Sequence, residues 1–206
     1  MPMIDYFYAA HSSFAFLGSA KLAQVARKTG RTIGHRPMDL DKVLQACGAK
    51  PFSARHPDNV RYHFRKEIWR WAEFRGVEIL DRRPQYHSNS YHLANRLLVA
   101  SVLQGGDTDS LAHAFLVGHW RDDADLADPE TLRALIASVG GSAEELFGAA
   151  HSAEVTAAYE ANTQEAIDRR FYGSPTYVVD GDPFYGQDRL ELVERACVKP
   201  FGPAPA

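Results

Sequence analysis

Ser12 follows an apolar run over residues 3–10 and opens the stretch Ser12-Ser13-Phe14-Ala15-Phe16-Leu17-Gly18. A hydroxyl in that position caps a helix. The free N–H groups and positive dipole end of a helix start also favour an anion beside them. Ser12 therefore reads in two ways, as a plain N-cap or as part of an anion site at that helix start. The second piece of chemistry is Gly173-Ser174-Pro175-Thr176-Tyr177-Val178-Val179-Asp180-Gly181. Only X–Pro bonds adopt cis at modest cost, and a proline opening a strand is a candidate for it. A cis Pro175 leaves the N–H and C=O of Ser174 free to pair with an extended peptide. Third, Gln187 and Asp188 stand just before a closing helix. Backbone N–H groups there suit a carboxylate and Asp188 suits an ammonium, although Asp188 reads equally as an ordinary cap.

Further polar residues are candidates for a ligand pocket. Lys50, in Gly48-Ala49-Lys50-Pro51, either meets a ligand carboxylate or is one more exposed lysine. Tyr86 and Asn89, in Pro84-Gln85-Tyr86-His87-Ser88-Asn89-Ser90, suit a ligand phenol or carboxylate. Asn89 or Ser90 serve as well to cap the helix that follows. His11, next to Ser12, either accepts a ligand proton as a neutral imidazole or points away into core or solvent. The nine histidines raise the question of a metal, but His87 and His92 are five apart and His113 and His119 six apart. Neither pair has the three- or four-residue helical spacing and no Cys or carboxylate cluster accompanies them, so no metal site is expected. Cys47 and Cys197 read as semi-buried thiols, not a redox pair.

The elements that must position these groups follow from periodicity. Residues 3–10 and 31–38 read as strands around a first helix, a βαβ opening. Residues 176–179 and a short run through Phe184 and Tyr185 form a hairpin, then a helix runs from about 188 to 197. Between them the pattern is helical: 41–45, 57–74, 90–104, 107–122, 129–139, 143–149 and 152–170. Val60, Phe64, Ile68 and Trp71 mark residues 57–74 as one amphipathic helix. Breaks fall at Gly105-Gly106, Asp128-Pro129 and Gly140-Gly141.

Strand, hairpin and closing helix after a proline resemble the end of a thioredoxin-type domain. In a disulfide oxidoreductase of that type the first helix carries Cys-x-x-Cys, and here those positions hold Ser12, Ser13, Phe14 and Ala15. The chain resembles the 2-hydroxychromene-2-carboxylate isomerases and kappa-class glutathione transferases of the DsbA-like branch, over about residues 3–198. Their pattern Ser-Pro-Tyr-Ser-Tyr-Leu reads here Ser12-Ser13-Phe14-Ala15-Phe16-Leu17. Ala49 stands where the family has an asparagine, and Ala9 where it has an acidic residue.

The resemblance implies an α/β fold, a thioredoxin-like domain (1–39 and 171–198) interrupted by an all-helical insertion domain (40–170), with a flexible tail (199–206). It implies glutathione as cofactor, Ser12 donating to its sulfur, Ser174 and Pro175 holding its cysteinyl backbone, Gln187 and Asp188 its γ-glutamyl end. Lys50 would meet a carboxylate, and Tyr86 and Asn89 would line the substrate pocket, where His11, unusual in the family pattern, is a further candidate from its place beside Ser12. The implied reaction is isomerisation of an aromatic 2-oxo acid in aromatic catabolism: thiolate addition to a conjugated double bond, rotation, and elimination to a trans-benzylidenepyruvate. A kappa-like transferase or peroxidase, and a glutathione-binding protein without catalysis, are the competing readings.

Composition narrows the classes. The 206 residues carry a net charge of −3, with 45% hydrophobic and 24% charged residues. That balance suits a globular domain with a full core and gives no basis for nucleic-acid binding. No run approaches the roughly 20 apolar residues of a membrane span, and no signal-peptide pattern precedes residue 3. A cytoplasmic protein is expected, with a small aromatic carboxylate as its partner and a homodimer left open.

Overall fold

The computed structural model describes residues 2–50 and 52–202. Residues 203–206 of the expected tail, and Pro51, lie outside the described residues. The chain forms β1 (Met3–Tyr8), α1 (Ser13–Thr29) and β2 (Thr32–Pro37), then α2 (Leu40–Ala46), α3 (Pro57–Arg61), α4 (Glu67–Arg75) and α5 (His92–Leu103). It continues through α6 (Thr108–Trp120), α7 (Pro129–Ser138), α8 (Ala143–Ala149) and α9 (Ala153–Asp168), and closes with β3 (Thr176–Val179), β4 (Asp182–Tyr185) and α10 (Leu190–Val198). The sheet order is β2-β1-β3-β4. β1 and β2 are parallel and so need the α1 crossover, whereas β3 pairs antiparallel with β1 and β4.

β1 is central, and its near-continuous apolar sequence fits burial on both faces. Tyr6 and Tyr8 point to one face, where their rings stack at 4.1 Å and Tyr6 stacks on Tyr177 at 5.4 Å. The apolar cluster on that face runs on through Leu17 and Leu22 of α1 to Leu97, Phe115 and Leu132 of α5, α6 and α7. Phe7 points to the other face, against Met38, Val43, Ala166, Phe171 and Val178. The β3–β4 turn uses Asp180 and Gly181, both at positive φ (49° and 93°), as a two-residue hairpin turn requires.

Residues 57–75 differ from the single regular helix that the spacing predicts. A π turn, Tyr62–Lys66, separates α3 from α4. The wider turn shifts the helix face, so His63 and Phe64 reach Phe14 of α1 (ring centroids 4.9 and 6.4 Å) while Ile68 and Ala72 enter the core. Apolar spacing alone does not reveal such a shift, because Phe64 and Ile68 remain inward-facing in either geometry.

α1 and α10 approach closely at Gly18. A Cβ there would lie 2.8 Å from both Gln187 Cβ and Tyr177 Oη and 3.2 Å from Leu190 Cδ1. Gly18→Ala is expected to destabilise the fold by about 1–3 kcal/mol through overpacking. Thermal unfolding of the purified variant measures this, and an unchanged midpoint would contradict the close approach.

Candidate functional site

The loop after β1 and the loop before β3 meet at Ser12. Ser12 N donates to Ala9 O at 3.0 Å, closing the turn that leads into α1. Its side chain then caps that helix, with Oγ accepting from Ala15 N at 3.3 Å. Oγ also donates to Ser174 O at 3.4 Å, while Ser174 Oγ accepts from Ala9 N at 3.2 Å. These bonds hold the two serines together across 162 residues of sequence. The Ser174–Pro175 peptide is cis.

The cap is incomplete in a useful way. Ser12 Oγ serves Ala15 N, but the N–H groups of Ser13 and Phe14 meet no acceptor among the described residues, and the first turn of α1 holds no acidic residue. The Ser174 N–H likewise meets no acceptor among the described residues. Ser12 and Ser174 are only 7% and 9% exposed, so charge beside them is poorly screened by water. The bond from Ser12 to Ser174 O is long, so its proton is readily redirected to a stronger acceptor. Two helical N–H groups and the Ser174 amide are thus left without a protein acceptor among the described residues on either side of the Ser12–Ser174 contact, and a helix start of that kind favours an anion.

Gln187 lies at the start of a 3₁₀ turn (Gln187–Arg189) that leads into α10. It is buried, and Arg75 of α4 holds it by donating to Gln187 Oε1 and Gln187 O, both at 3.1 Å. Arg75 also pairs with Glu191 at 2.6 Å. Asp188 makes no side-chain cap. Its carboxylate pairs with Arg189 at 2.7 Å and remains partly exposed. Lys50 is exposed in the loop after α2, and its carbonyl accepts from Arg55 at 3.1 Å.

Tyr86 and Asn89 lie at the surface. Asn89 donates to Asp125 at 2.8 Å, turning it toward the loop after α6. From that segment it is His87 that packs against the site, with its ring centroid 5.2 Å from His11. His11 is turned inward and stacks on Tyr91 at 3.9 Å, and its carbonyl accepts from Trp120 Nε1 at 2.9 Å. His87 Nδ1 contacts His119 Nε2 at 2.9 Å, and His119 Nδ1 contacts Ala124 O at 3.0 Å. Burial, followed by neighbouring histidines, holds His11 well below the ordinary histidine range. Burial also pushes His87 down to about 3, and lowers His119. No group of three or more His, Cys, Asp or Glu among the described residues forms a metal cluster. No helix among the described residues is long and apolar enough to cross a membrane.

Behind the site, Asn95 of α5 is fully buried. It accepts from Ala10 N and donates to Met38 O, both at 2.9 Å, and meets Tyr159 Oη at 3.2 Å. One side chain thereby fixes the ends of β1 and β2, and with them the turn carrying Ser12. Asn95→Leu strands a buried donor and a buried acceptor, and is expected to cost about 2–3 kcal/mol. Urea denaturation checks this, and an unaltered midpoint would deny Asn95 its role.

The profile of the DSBA-like thioredoxin domain matches residues 3–198. The chain belongs to that family. Within it, the chain is 27% identical over 199 residues to a 2-hydroxychromene-2-carboxylate isomerase of Pseudomonas putida, covering 94% of this chain and 93% of that one. It is 28% identical over 195 residues to the protein of the same name from Sphingobium xenophagum, covering 93% and 95%. A solved structure of 2-hydroxychromene-2-carboxylate isomerase superposes with a TM-score of 0.80 at 24% identity, over 96% of this chain and 95% of the other. This member of the DSBA-like family has no cysteine at the start of α1, where Ser12 and Ala15 stand.

Proposed function

We propose that this protein is a glutathione-dependent cis–trans isomerase of aromatic 2-oxo acids of the 2-hydroxychromene-2-carboxylate type. The carrying observation is the convergence of Ser12 Oγ on Ser174 O beside a cis proline, at a helix start that offers free N–H groups. A thiolate fits there. The absence of cysteine at that helix start speaks against dithiol exchange. The two curated relatives bear the isomerase name over nearly their whole length, which supports the substrate class.

In this reading the cysteinyl backbone of glutathione pairs with the N–H and C=O of Ser174. Ser12 shifts its proton from Ser174 O to the sulfur, and Ser174 O accepts from the tripeptide instead. Asp188 offers a carboxylate to the γ-glutamyl ammonium. The 3₁₀ turn that carries it is braced by Arg75 through Gln187. Lys50 would meet a carboxylate at the mouth. Glutathione held there would supply a thiolate nucleophile for reversible addition to the conjugated double bond. The enzyme contributes orientation and preset donors, not a covalent bond of its own. It would act in the cytoplasm on a small carboxylate.

Product analysis tests the reading. Substrate should convert to the trans-benzylidenepyruvate only when glutathione is present, with the glutathione recovered unchanged. Consumption of glutathione would instead mark a kappa-like transferase, which Ala49 and Ala9, the departures from the isomerase pattern, leave as the alternative. Calorimetry without heat at millimolar glutathione would overturn both.

A further inference from the structure

His11 stands next to Ser12 and has a ring nitrogen, Nδ1, that is enclosed and without any hydrogen-bond partner. An enclosed N–H with no acceptor is the costlier orphan, so the proton of the neutral ring belongs on Nε2, the nitrogen that is not enclosed. The ring cannot easily turn away. Its face lies on Tyr91 at 3.9 Å and 14°, and Trp120 Nε1 grips its own carbonyl. Tyr91 is anchored in turn, its hydroxyl donating to Asp39 and Asp41 at 3.4 and 3.3 Å.

The neighbouring histidines have their tautomers set by a single carbonyl. Ala124 O can only accept, so the proton on neutral His119 sits at Nδ1 and its Nε2 bears a lone pair. His87 Nδ1 must then be the donor to His119 Nε2, which leaves His87 Nε2 without a proton. Burial favours the neutral form of both imidazoles beside His11. His87, His119, His92 and the Arg83 guanidinium all disfavour charge on it, in addition to its burial.

We propose that His11 is a substrate-contacting residue of this site, its Nε2–H donating a hydrogen bond to the oxygen that becomes an enolate when thiolate adds. The inference rests on the isomerase reading. A neutral imidazole suits that task because it polarises the oxygen without surrendering its proton. In the step the C–S bond forms, the π electrons move to the 2-oxo oxygen, and the imidazole N–H stays intact. Elimination reverses the electron flow, so neither oxidant nor external base is consumed. His11 is therefore a donor in this reading and not the base that takes the thiol proton.

Two substitutions and one spectrum test it. His11→Phe keeps an aromatic ring against Tyr91 and removes the donor. With saturating glutathione it should lower kcat by about 100-fold, the scale of one lost donor to a developing oxyanion. Glutathione affinity, read by calorimetry, should stay unchanged. His11→Gln retains a neutral donor and should recover part of kcat. In nitrogen-15 spectra of the wild type, His11 should keep the neutral pattern between pH 5.5 and 8, and shift when glutathione and a saturated 2-oxo acid are added. Full kcat in His11→Phe, or an imidazolium signal at pH 6, would overturn the proposal while leaving the isomerase reading standing. A wild type that binds glutathione but turns over no aromatic 2-oxo acid would overturn that reading, and the role of His11 with it.

Discussion

Ser12→Ala is expected to lower turnover about 100- to 1000-fold while weakening glutathione binding far less. The hydroxyl proton bonded at 3.4 Å to Ser174 O is the one available to a bound sulfur, and alanine has none. The Ser13 and Phe14 N–H groups and the α1 dipole survive the change, so the thiol should still ionise more readily than in water. Its pKa should nevertheless lie above that in the wild type. The same substitution removes the cap on Ala15 N, which costs about 1 kcal/mol of stability and is separable by unfolding the variant. Thiolate absorbance of bound glutathione across pH decides the matter. Coincident titration curves for wild type and Ser12→Ala would reduce Ser12 to a helix cap. Ser12→Cys offers a complementary result, a mixed disulfide with glutathione.

Acidification is expected to destabilise the fold before any carboxylate titrates. His11, His87 and His119 have folded-state values below the ordinary histidine range, with His87 near 3. A depressed folded value means that the unfolded chain binds protons first as pH falls. The stability from keeping these rings neutral is complete above about pH 6.5 and is lost progressively toward the folded values. Each ring that stays neutral removes up to about 1.4 kcal/mol per pH unit, or roughly 2 kcal/mol between pH 6.5 and 5. Urea denaturation at pH 7.5, 6 and 5 reads the slope, and His119→Gln, which can still hydrogen-bond, should make it shallower. Equal stability at pH 7.5 and 5 would show that the cluster charges freely.

The fold was legible in the sequence wherever a local signal and a burial pattern agreed. The apolar run of β1, Ser12 at the start of α1, and the Asp180-Gly181 turn each declare themselves through backbone chemistry at one point. The closeness of Ser12 and Ser174 was accessible only through the motifs read together, because in isolation each reads as an ordinary cap or strand start. The π turn at Tyr62–Lys66 was not, since it alters a helix face by a fraction of a turn without changing which residues are apolar.

Only the tertiary structure decided what surrounds Ser12. Sequence spacing speaks for neighbours along one element, and His87 and His119 meet from a loop and the end of α6, 32 residues apart. The same holds for Arg75, whose guanidinium crosses from α4 to Gln187, and for Asn95, which clamps Ala10 to Met38. Asn89, by contrast, fits a pocket by type but spends its amide on Asp125. Residue type and local spacing determined the strands, the caps and the serine–proline pair. The histidine cluster, and the direction in which each polar side chain is satisfied, depend on which elements the core brings together.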